Sequence, residues 1–178
     1  GPDGAVYVLD WSDTGECHDS TGVHRNSGRI YRIAHGGVKP AAFSPWQEAA
    51  AERLAASVAE PDEWHVRAAR QEMMHRYAEG VPLQVERGAL LNKLATGSPA
   101  PVRLRSLWAL HATGGVPEET LLNLLTDPVE PVRVWAVRLL TDAQLLDTPL
   151  SRIRAGALAD SRLNALIDCA AKEASGLV

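Results

Sequence analysis

The chain has 178 residues, with 22 acidic against 18 basic side chains and a formal net charge of −4 at neutral pH. That length suffices for one domain, or for a domain and a piece of another, with a substantial buried core. The acidic balance and the lack of a basic stripe argue against a nucleic-acid binder, and no run reaches the roughly eighteen apolar residues needed to cross a bilayer. Basic residues are almost all arginine, with lysine only at Lys39, Lys93 and Lys172; a base-rich genome produces the same bias, so it carries no functional weight here. Cys17 and Cys169 stand far apart in apparently different modules, which argues against a disulfide between them and leaves the compartment unset.

From Gly1 to about Ile33 the pattern is β. "AVYVLDW" alternates Val6, Val8 and Asp10 on one face with Tyr7, Leu9 and Trp11 on the other, and "GRIYRI" is a second β-branched and aromatic run. Two strands alone are marginal in water. Either the pair docks on the helices that follow, or its natural partners lie upstream, and a chain that opens in a turn leading into a strand reads as a segment of something longer. The stretch 36–45, "GGVKPAAFSP", is rich in Gly and Pro and marks a linker. The expected organisation is therefore a β segment at 1–35, a linker at 36–45 and a helical domain at 46–178.

From Trp46 onward nearly everything has helical period, cut by breaks such as Glu60-Pro61, Gly80-Val81-Pro82, Gly114-Gly115-Val116-Pro117 and Asp127-Pro128. Gly just past one helix end and Pro just inside the next start is the expected asymmetry of caps. An internal repeat runs through these helices. "EWHVRAARQEMMHR", "PAPVRLRSLWALHA" and "VEPVRVWAVRLLTD" align on Val66-Arg67, Val102-Arg103 and Val132-Arg133, at spacings of thirty-six and thirty residues, with Leu-rich partner helices between. This is the scale of a helical hairpin repeat. A last pair, "LSRIRAGALAD" and "SRLNALIDCAAKE", closes the array. The Val-Arg pattern followed by small residues and a Leu-rich second helix resembles HEAT repeats over roughly Asp62 to Glu173. The expected fold is mainly α, a HEAT-like solenoid of helical hairpins preceded by a small β segment. The resemblance implies that the Val residues pack inward and that Arg67, Arg103 and Arg133 form a structural ladder between repeats, with a ligand-binding row as the alternative. Met73, Met74, Trp108 and Trp135 read as packing residues, and His65, His75 and His111 as surface or structural histidines. No H-E-x-x-H, phosphate-loop, dinucleotide or G-x-S-x-G motif is present.

The polar loop between the strands is the chemically richest stretch. Asp10 to His24 holds three Asp, one Glu, one Cys and two His in fifteen residues. Asp13, Glu16, His18 and Asp19 supply oxygen and nitrogen donors suited to a hard cation or a zinc-like ion. Their spacing fits no standard metal motif, so a polar turn remains the other reading. "GPDGAVYVLDW", a polar insertion and then "H-R-x-x-G-R-I-Y-R-I" resemble the closing blade of the β-propeller in sorbosone/glucose dehydrogenase-like proteins, especially the large membrane-bound dehydrogenase-like proteins of planctomycetes. Those combine a propeller with helical HEAT-like repeats and often a haem c domain, in the order found here.

That resemblance implies an exported or periplasmic oxidoreductase acting on sugars or related alcohols and aldehydes. It also implies pyrroloquinoline quinone and calcium at the propeller's axial face, and electron transfer to a haem. It points to His24 and Asp10 as catalytic residues and to Arg25 and Arg29 as cofactor-binding residues; Asp10, His24 and Arg25 stand beside the strand ends where axial loops converge. No C-x-x-C-H haem-attachment motif occurs, so a haem domain would lie outside these residues or be missing from the parent protein. The helical repeats would bind a protein partner or a neighbouring domain. A stand-alone HEAT-repeat binding module without catalytic activity is the alternative.

Overall fold

The computed structural model describes residues 1–10, 28–36, 45–95, 98–142 and 160–178. The chain is mainly helical, with a small two-stranded antiparallel sheet. Strands β1 (Val6–Leu9) and β2 (Ile30–Ile33) pair with Val6 opposite Ile33, Tyr7 opposite Arg32, Val8 opposite Tyr31 and Leu9 opposite Ile30. Alternation then places Val6, Val8, Tyr31 and Ile33 on one face and Tyr7, Leu9, Ile30 and Arg32 on the other. The expected alternation of 6 and 8 against 7 and 9 is thus realised.

The helices are α1 (Ala51–Ala56), α2 (Glu63–Ala78), α3 (Gln84–Ala95), α4 (Ala100–Ala112), α5 (Glu118–Leu124), α6 (Glu130–Thr141) and α7 (Asp160–Lys172), with short 3-10 turns at Trp46–Glu48 and Ser57–Ala59. Their ends follow local chemistry. The Asp62 side chain accepts from the Trp64 N–H at 2.8 Å and so caps α2. Gly80, at φ +76°, ends it: the Val81 N–H reaches back to the Arg76 carbonyl at 2.8 Å, a closure that needs a left-handed residue. Pro101 and Pro131 sit in the first turns of α4 and α6, where a missing N–H costs nothing. No helix among the described residues is long and apolar enough to cross a membrane.

Helix α3 packs on α1 and α4, α4 touches α2 and α6, and α5 packs on α6. One apolar cluster runs through all of them, from Trp46, Leu54 and Met73 through Leu90, Leu94, Leu107 and Leu110 to Leu125, Val132 and Leu140. Of the three repeat valines, Val66 and Val132 are fully buried, whereas Val102 is only half-buried against the cluster. The small residues Ala69, Ser106 and Ala136 lie at zero exposure, which lets neighbouring helices approach closely. Met73 packs in the core as expected, but Met74, one residue on, is 44% exposed: adjacent residues lie about 100° apart on a helix, so one apolar stripe cannot hold both. Trp108 and Trp135 meet edge to face with centroids 5.2 Å apart, joining α4 to α6. The expected linker at 36–45 and the expected helix at 150–160 lie outside the described residues, apart from Gly36, Pro45 and Asp160.

Candidate functional site

The mouth of the hairpin is where the sequence places its chemistry. The Asp10 N–H donates to the Arg29 carbonyl at 2.8 Å, extending the ladder one step beyond β1 and β2. Two of the expected site residues are thereby brought opposite each other, Asp10 half-buried and Arg29 exposed. His24, Arg25, Asp13, Glu16, His18 and Asp19 lie outside the described residues. Among the described residues no group of three or more His, Cys, Asp or Glu stands close enough to hold a metal ion. Calcium takes about six to eight oxygen ligands, and the described part of the mouth offers the Asp10 carboxylate alone. The described residues alone do not complete a site for calcium or a quinone.

At the other end of β1 the turn is tied down electrostatically. The Ala5 N–H donates to Asp3 Oδ1 at 3.1 Å, Arg32 Nε donates to Asp3 Oδ2 at 2.7 Å, and Tyr7 Oη donates to the same oxygen at 3.1 Å. The Arg32 guanidinium holds the Asp3 carboxyl down at about 2. The Gly-Pro-Asp-Gly turn is therefore a structural latch between the start of β1 and the middle of β2.

The helices carry a network of guanidinium groups, each of which caps a neighbouring element. Arg103, on α4, donates through Nε to the Leu94 carbonyl at 3.0 Å and through Nη1 to Asp127 Oδ1 at 2.8 Å, while its Nη2 takes Asp127 Oδ2. Asp127 Oδ1 also accepts from the Val129 N–H at 2.9 Å, fixing the start of α6. Burial pushes the Asp127 carboxyl up, but hydrogen bonds from Arg103 and Val129 and attraction to Arg103 and Arg133 outweigh it and hold the group below the ordinary range. Arg133, on α6, donates to the Asp127 carbonyl at 2.8 Å and forms a two-pronged pair with Glu173 at 2.6 and 2.8 Å. Hydrogen bonds from Arg133 hold the Glu173 carboxyl down at about 2. Two of the three arginines of the Val-Arg pairs, Arg103 on α4 and Arg133 on α6, thus meet at Asp127. The third, Arg67, is exposed.

Four arginines outside the repeat motif do the same work. Arg87 donates to the carbonyls of Leu110, Thr113 and Gly115, closing the end of α4, where Gly114 and Gly115 take positive φ. Arg105 takes the carbonyls of Val58 and Glu60, both at 3.0 Å, and the Glu63 carboxylate. Arg76 takes those of Gln47 and Ala49 and pairs with Glu72, and Arg162 takes the Leu140 carbonyl and pairs with Glu118. Helix ends leave carbonyls that face no partner within the helix. A guanidinium reaches two or three of them at once from separate nitrogens held in one rigid plane, where an ammonium is a single nitrogen on a flexible stem. The arginine bias of the sequence has this physical use, visible only once the helix ends are placed.

A cleft of about 630 Å³ opens between α5, the turn after it and α7, lined by Leu122, Leu125, Asp127, Arg133, Cys169 and Glu173 among others. Its arginine is paired with Glu173, its Asp127 carboxylate is held by Arg103 and the Val129 N–H, and the free thiol of Cys169 points its weak donor at the Leu125 carbonyl, 3.8 Å away. Sequence reading did not single out this cleft, because Asp127 to Glu173 spans a separation no local motif covers. The chain matches no protein-family model, no curated protein and no solved structure.

Proposed function

We propose that the chain is the C-terminal part of a quinoprotein-like dehydrogenase that oxidises sugars or related alcohols and aldehydes. In this reading β1 and β2 belong to the last blade of a propeller, and the helices are a HEAT-like scaffold that positions a neighbouring domain or a protein partner. One observation carries it. Val6, Tyr7, Val8, Leu9, Ile30, Tyr31 and Ile33 are 43% to 76% exposed, on both faces of the hairpin at once. A hairpin of this composition needs further strands and facing sheets to be stable, and a propeller blade supplies both. The residue pattern from Gly1 to Ile33 and the order of β segment before helical repeats support the same assignment. Asp10, His24, Arg25 and Arg29 would then stand at the axial loops, next to substrate and quinone.

The helical core favours a second reading. It is continuous from Trp46 to Leu140 without any hairpin residue, as a stand-alone repeat module would require. The two separate on the polypeptide made by the native host, isolated with an antibody against the repeats. The dehydrogenase reading expects a longer polypeptide that reduces an artificial electron-acceptor dye with aldoses, dependent on added quinone and calcium. A polypeptide of this length alone, with no dye reduction, would establish the scaffold instead.

A further inference from the structure

We draw no further inference here: the strongest candidate, the exposed apolar pair Leu163 and Ile167 one turn apart on α7, carries none because nothing among the described residues shows what covers it.

Discussion

Replacing Asp127 by alanine tests the repeat ladder where it is most concentrated. The Asp127 carboxylate receives both terminal nitrogens of Arg103 and the Val129 N–H, and the side chains of Arg103 and Asp127 keep only 10% and 7% exposure. Removing one partner of a buried, doubly hydrogen-bonded pair costs about 3 to 5 kcal/mol, because the other charge is left buried. Arg103 retains the Leu94 carbonyl, which places the expected loss at the lower end, about 3 kcal/mol. For a chain of this length that is a fall in Tm of roughly 6 to 12 °C. Glu63→Gln removes the carboxylate from a pair whose acid is 51% exposed, and should cost under about 1 kcal/mol. Replacing both partners, Arg103→Met with Asp127→Leu, should recover much of the loss, since an apolar pair leaves no unpaired charge. The assay is urea unfolding followed by far-ultraviolet circular dichroism at constant slope. Equal small losses for Asp127→Ala and Glu63→Gln would refute the ladder argument.

Val132→Asp should unfold the helices, at a cost above about 4 kcal/mol, whereas half-buried Val102→Asp should cost clearly less; equal thermal shifts would contradict the packing described. Arg87→Lys should lower stability by about 1 to 2 kcal/mol, read as a lower urea midpoint, because Nη1 serves the carbonyls of Leu110 and Thr113 while Nη2 serves that of Gly115, and a lysine offers a single nitrogen. Acid should loosen the chain in a defined window. Asp3 and Glu173 are held at about 2 against ordinary values of 3.8 and 4.5, so their contribution is complete above those ordinary values and is lost as pH falls from there towards 2. Tm measured from pH 6 to pH 2 should drop mainly in that window, and Glu173→Gln should flatten the drop; an unchanged slope in the variant would contradict the assignment.

Much of the architecture was legible from residue order alone. The strand alternation at 6 to 9, the helix breaks at Gly80 and Gly114-Gly115, and the inward positions of Val66 and Val132 all follow from local periods and turn chemistry. What was hidden depends on contacts distant in sequence. Nothing local marks Arg105 as the cap for Val58 and Glu60, forty-seven and forty-five residues away. The three Val-Arg pairs look equivalent in sequence, yet Arg103 and Arg133 meet at Asp127 while Arg67 is exposed. At the candidate site the sequence pointed to Asp10 and Arg29, which the ladder sets opposite each other, while the loop residues from Asp13 to Arg25 lie outside the described part.

The most direct measurement of the central claim is native-state hydrogen exchange on the 178-residue chain. If β1 and β2 belong to a larger sheet while the helices fold on their own core, the strand amides should be protected about tenfold or less, and those of α3, α4 and α6 at least about a thousandfold. Hairpin protection equal to that of α4 would mean that the strands are already satisfied within this chain, and the account of an unfinished propeller blade would fall.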